Sequence, residues 1–195
     1  MLGPYRPCVN RRNRTMRHRL FVAAYPSVEW SRKAIEAVER PDLPPHRTPP
    51  PGAVHITLQF IGDVIPKDID AVIESVHRSA AGIAPFRLTP ERLITLPSRG
   101  DARLIAVRTD RPPGVLEIHR RLAARLSKSL RRSQADRFLP HLTVARFNGP
   151  AVGYRIDEPV ELDPIPIDNI RLMESHFLQD RVEHHEIERV ELSAD

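Results

Sequence analysis

Cysteine is nearly absent from this 195-residue chain: Cys8 stands alone, close to the N-terminus. One thiol makes neither a disulfide framework nor a cysteine-based metal site. It is compatible with a reducing cytoplasm, the compartment we expect. Long apolar runs are missing as well. The stretch "LFVAAY" at 20–25 is typical of the longest, far below the ~20 residues of a membrane span and too short for a secretory signal. Acidic residues are absent from the first 19 positions, which carry six arginines. That segment accounts for the net charge of +5, since the rest holds 24 basic against 25 acidic residues. The body is thus close to neutral, and global charge gives no ground for nucleic-acid binding. Residues 1–18 read as a basic, disordered tail, with Met16 as an alternative start, and residues 19–195 as one bilobal domain.

Proline is plentiful, and it marks the chain's organisation. "PDLPPHRTPPPG" at 41–52 holds six prolines in twelve residues, which excludes a helix interior and a central strand because proline lacks the amide donor and fixes φ. We expect a stiff, extended connection there. Before it, "RLFVAAY" at 19–25 reads as a buried strand, and Ser27 as the N-cap of a helix that places Trp30, Ile35 and Val38 on one face. After it, Pro66 suits a helix first turn, with Ile69, Val72, Ile73 and Val76 at helical spacing. Residues 85–96 and 103–109 read as strands. A helix is expected over 113–132, with Val115, Ile118, Leu122, Leu126 and Leu130 on one stripe. Two last strands fall near 168–178 and 183–192. The order β-α-β-α-β-β-α-β-β-β suggests a layered α+β fold.

The chemistry lies in a phrase used twice. "HITLQF" at 55–60 and "HLTVARF" at 141–147 each read His, apolar, Thr, apolar, 86 positions apart. On a strand, alternate side chains share a face. His55, Thr57 and Gln59 are therefore expected on one face, with Val54, Ile56, Leu58 and Phe60 on the other. In the second copy His141 and Thr143 oppose Leu142 and Val144, and strict alternation aims Arg146 away from His141 unless a bulge intervenes. Two such strands facing one cleft would offer two imidazoles and two hydroxyls. An imidazole titrates near ~6.5, so one can accept a proton while the other donates one. Threonine hydroxyls can donate to anionic phosphate oxygens. That set suits in-line hydrolysis of a phosphodiester with no metal and no cofactor. A lone HxT is most often a satisfied polar edge; the pair is what carries meaning.

These paired H-x-T-hydrophobic motifs resemble the two-histidine (2H) phosphoesterase superfamily. More narrowly, "RHRLFVAAYP", "VHITLQFIGDV", "LPHLTVARF" and "IRLMESHF" resemble segments of the bacterial and archaeal RNA 2′,3′-cyclic phosphodiesterases, the LigT-like 2′-5′ RNA ligases. The likeness spans most of residues 17–192. It implies a bilobal α+β fold with pseudo-twofold symmetry, antiparallel sheets forming a central cleft, and helices outside. It also implies hydrolysis of a 2′,3′-cyclic phosphate to a 2′-phosphate. His55 would be the general acid and His141 the base, labels that the likeness of the two halves leaves exchangeable. Thr57, Thr143 and Arg146 would hold the phosphate. Many relatives have a basic residue where this chain has Leu139.

The partners expected are RNA ends or cyclic nucleotides, with no membrane, and a monomer. Rival readings are a non-catalytic nucleotide or RNA-binding module and a small-nucleotide cyclic phosphodiesterase. Phe21, Tyr25 and Phe60 are candidates for stacking a base, although Phe21 and Phe60 are more readily read as core. His176, His184 and His185 read as surface or edge residues, His77 and His119 as polar helix positions, and His18 and His46 as tail and linker.

Overall fold

The computed structural model describes residues 17–126, 138–178 and 182–194. Among the described residues, three helices and eleven strands follow one another in the order β1 (His18–Ala24), α1 (Val28–Glu36), β2 (His46–Arg47), β3 (Ile56–Val64), α2 (Ile69–Ala80), β4 (Phe86–Leu88), β5 (Pro90–Leu96), β6 (Ala102–Thr109), α3 (Pro113–Leu126), β7 (His141–Ala151), β8 (Asp157–Pro159), β9 (Ile165–Ile167), β10 (Asn169–Phe177) and β11 (Val182–Glu191). The local signals act as expected at most element ends. The Ser27 hydroxyl accepts from the Trp30 amide at 3.1 Å and starts α1. Pro66 opens a single 3-10 turn that leads into α2.

Three expectations need correction. The strand expected at 85–96 is two, because the chain breaks at Thr89, whose amide donates to the Asp110 carboxylate at 2.8 Å. Strands β8 and β9 were not anticipated; each is three residues long and contains proline, too short for a period-2 pattern. His18 is no tail residue. It opens β1, is buried, and lies 2.7 Å from the Glu174 carboxylate. The tail 1–16 and the C-terminal end of the 113–132 helix fall outside the described residues.

The main sheet runs β11-β10-β1-β3-β7-β6-β5-β8, with β2 also paired to β7, and β4 and β9 form a separate ribbon. All the pairings described are antiparallel. The order falls into two four-strand halves, β11 to β3 and β7 to β8. They join through one register pair, Ile56 opposite Leu142. One face of the sheet is covered by the helices and buries the principal core, including Leu20, Val22, Ile56, Ile118, Leu122 and Leu142. On the other face a small cluster of Phe21, Ala23 and Met173, with Tyr25 against it, lines the open side.

Both members of the joining pair are fully buried. Removing three carbons from such a site leaves a cavity as well as losing burial. Leu142→Ala is expected to cost about 2–5 kcal/mol. Urea unfolding measures this, as a lower midpoint at unchanged slope.

Candidate active site

The joining pair sets the geometry of the two His-Thr phrases. With Ile56 opposite Leu142 in an antiparallel pair, continuing the register by one residue places Thr57 beside His141 and Thr143 beside His55. Each histidine therefore neighbours the threonine of the other copy. Directly opposed residues on one face lie about 4.5–5.5 Å apart at Cβ, so all four side chains address one small region. Among the described residues neither threonine hydroxyl has a partner within the protein, which leaves both free to donate to a ligand.

Both imidazoles are held in the same way. His55 Nδ1 lies 2.8 Å from the Ala53 carbonyl, and His141 Nδ1 lies 2.8 Å from the Leu139 carbonyl. A carbonyl oxygen only accepts, so each Nδ1 carries the proton and donates it. Nε2 is then the nitrogen free for proton transfer. Because the Leu139 contact is made through backbone, it needs no basic side chain at that position. His55 precedes the first residue of β3, delivered by a short 3-10 turn at Pro51–Ala53. His141 is the first residue of β7.

Beyond the threonines each strand carries a bulge at the corresponding place. Along β3 the partners of β1 pass from Thr57 to Gln59, skipping Leu58. Along β7 the partners of β6 pass from Thr143 to Ala145, skipping Val144. An extra residue reverses the alternation that follows. Val144 and Ala145 are both buried, and Arg146 turns onto the His141 face, where its charge is felt by His55 and His184. In the first copy the same device corrects the expectation for Gln59 and Phe60. Gln59 leaves the cleft face, while Phe60 is 68% exposed and its ring centroid lies 6.2 Å from that of Phe21. The Leu58 carbonyl, released from regular pairing, sits 2.7 Å from His119 Nδ1 on α3. His119, expected as a polar helix position, is buried and stacked on Phe138 at 4.0 Å.

The surroundings of the two histidines differ. His55 is enclosed by three rings, with centroids at 5.2 Å for Phe21, 5.4 Å for Tyr25 and 5.1 Å for His184. Burial is the main reason its pKa falls to about 4; His184, Arg146 and His141 push the same way, while the Ala53 bond resists. His184 was missed by the sequence reading, which placed it at the surface. It packs edge-on against His55 and Phe21, and its own pKa is lowered, again chiefly by burial and then by Arg146. The pattern "EHHEIE" carries no apolar alternation to mark an inward face. Tyr25 is pushed up to about 12 by burial, and the Arg171 guanidinium lies 4.9 Å from its ring centroid. His141 is in register with Arg108 of β6, whose Nε lies 3.2 Å from a Glu91 carboxylate oxygen. Among the described residues no group of three or more His, Cys, Asp and Glu is placed to hold a metal ion, and no helix is long and apolar enough to cross a membrane.

A family model described as "2'-5' RNA ligase superfamily" matches residues 26–176, a span that includes both histidine phrases. The chain belongs to that superfamily. A curated relative, the RNA 2′,3′-cyclic phosphodiesterase of Methanothermobacter thermautotrophicus, is 26% identical over 125 residues, 64% of this chain and 67% of the relative. Among solved structures, TT0787 of Thermus thermophilus superposes with a TM-score of 0.74 at 26% identity, covering 91% of this chain and 98% of that one. E. coli LigT complexed with 3′-AMP gives 0.69 at 23% identity, with 91% and 99% covered, a likeness of fold. With these neighbours the chain is a LigT-like two-histidine phosphoesterase in family and an antiparallel α+β protein in fold.

The enclosure of His55 has a measurable consequence. An imidazole of the unfolded chain titrates near ~6.5, while in the folded chain it titrates at about 4. Between those values the unfolded state binds more protons, so stability falls as pH drops from ~6.5 toward 4 and is fully present above that window. Imidazole NMR titration should place His55 at about 4. Phe21→Ala, by admitting water, should move it up toward the ordinary value. A His55 titrating above 6 in the intact protein would contradict the enclosure.

Proposed function

We propose that this chain hydrolyses RNA ends that carry a 2′,3′-cyclic phosphate, yielding a 2′-phosphate. The observation that carries the reading is the crossed placement of each histidine beside the other copy's threonine, fixed by the Ile56–Leu142 pair. A cyclic phosphate seated between Thr57 and Thr143 receives hydrogen bonds on its non-bridging oxygens, with Arg146 supplying positive charge. One imidazole takes a proton from water as the water oxygen bonds to phosphorus. The other gives its proton to the 3′ oxygen as the phosphorus–O3′ bond breaks. Each transfer is typically worth about 10²–10⁴ in rate. A ribose 5′-hydroxyl in place of water would leave a 2′-5′ linkage by the same steps.

The family resemblance assigns the acid to His55, while its enclosure favours the neutral imidazole, the form a base must have. An incoming phosphate anion acts in the opposite direction, since a nearby negative charge favours imidazolium. The two assignments separate by leaving group. An acid is needed for a ribose oxygen and hardly at all for p-nitrophenolate. The variant that loses the cyclic phosphate yet keeps a p-nitrophenyl phosphodiester therefore lacks the acid.

The deciding experiment is hydrolysis of adenosine 2′,3′-cyclic phosphate in excess EDTA, with His55→Ala and His141→Ala beside the wild type. Turnover should survive EDTA, release the 2′-phosphate, and drop by about 10²–10⁴-fold in each variant. Either variant within threefold of wild type would sink the paired mechanism. Absent wild-type turnover with retained nucleotide binding would point to a binding module.

A further inference from the structure

We propose that Arg47 and Arg146 together form a second anion subsite, which takes the phosphate on the 5′ side of the terminal nucleotide. This rests on the reading of the cleft as an RNA-end phosphodiesterase and specifies its substrate class: a nucleotide that continues into a phosphodiester chain, in preference to an isolated nucleoside cyclic phosphate.

The proline-rich connection is the source of Arg47. Downstream of the Ile56–Leu142 pair the halves diverge, and β2 fills the wedge by pairing with β7: His46 opposite Phe147 and Arg47 opposite Arg146. The connection is held firmly. The Asn148 amide donates to the Pro45 carbonyl at 2.9 Å, and the Ala53 amide to the Pro50 carbonyl at 2.8 Å. Prolines on both sides of Arg47 remove much of the freedom that a loop of this length would otherwise have.

Register partners share a face, so two guanidinium groups stand side by side on the cleft face that the β7 bulge gives to Arg146. Both are exposed, and among the described residues neither is in an ion pair. Like charges directly opposed across strands are destabilising, and after the partial desolvation of Arg146, which still reaches solvent, Arg47 is the second cause that weakens its hold on its proton. A firmly built strap that keeps two cations together at a cost, with no described acid paired to either, is arranged for an anion from outside. The reacting phosphate takes its hydrogen bonds from two hydroxyls and two imidazoles, and feels only the field of Arg146, whose charge reaches His55, so the Arg146 fork is left for a neighbouring anion. Across the bulge Thr143 and Arg146 face Ala106 and Leu104 of β6, two residues apart, roughly 7 Å at ~3.3 Å per residue. That separation makes room for a phosphate next to the reacting one, and two planar forks suit its oxygens.

The test is calorimetric binding of adenosine 2′-monophosphate and adenosine 2′,5′-bisphosphate to the full chain at low salt, in wild type, Arg47→Ala and Arg47→Lys, alongside the turnover assay above. In wild type the bisphosphate should bind about tenfold tighter, the usual worth of one added charge-assisted contact, and the advantage should shrink as salt screens it. In Arg47→Ala the ratio should collapse to about one, and in Arg47→Lys it should be largely restored. Equal affinities in wild type, or a ratio that survives Arg47→Ala, would overturn the subsite whatever the turnover. A bisphosphate advantage that depends on Arg47 in a protein that hydrolyses no cyclic phosphate would keep the subsite and overturn the activity. Failure of both ligands to bind overturns both.

Discussion

Two halves of one sheet meet at a single pair of residues, and the site depends on that economy. A fully zipped β3–β7 ladder would make one continuous surface with no cleft. Complete separation would leave each histidine with its own threonine only. One buried aliphatic pair holds the strands at their starts and lets them part beyond it. The polar residues on either side of Ile56 and Leu142 are thereby forced together, and the gap is left for the proline strap to occupy.

Symmetry in the backbone is not matched by symmetry in the surroundings. Both imidazoles bond through Nδ1 to the carbonyl two residues earlier, so both present the same nitrogen. Yet His55 is walled by Phe21, Tyr25 and His184, whereas His141 neighbours a charged strand through Arg108. The backbone thus makes the two histidines alike, and the neighbouring side chains make their settings unlike.

The repeated phrase, the strand and helix starts, and the stiffness of the connection could all be read from residue order, because each rests on local chemistry: a threonine two positions from a histidine, a serine cap, a run of prolines. What escaped the reading was set by the third dimension. The bulges break the alternation silently. A hint was present in the second copy, where strict alternation would have sent the Arg146 cation toward the face of Leu142 and Val144, at a large desolvation cost. Carried to the first copy by the repeat, that same hint would have turned Phe60 outward, although Gln59 and Phe60 looked well placed without it. His184 gave no hint at all, since its inward position follows from the pairing of β11 with β10, far from either motif. Arg47 lay inside a segment whose composition suggested a connector and whose pairing with β7 required the wedge to exist.

The matched bulges end differently: one half presents an exposed aromatic ring at Phe60, the other a cation at Arg146. A nearly twofold scaffold taken alone would accept a bound chain equally well in either orientation. The substitution of a ring for a charge at equivalent positions removes that equivalence. With a ring on one side and a charge on the other, this pair of residues gives the groove a polarity, as a thread does to a screw.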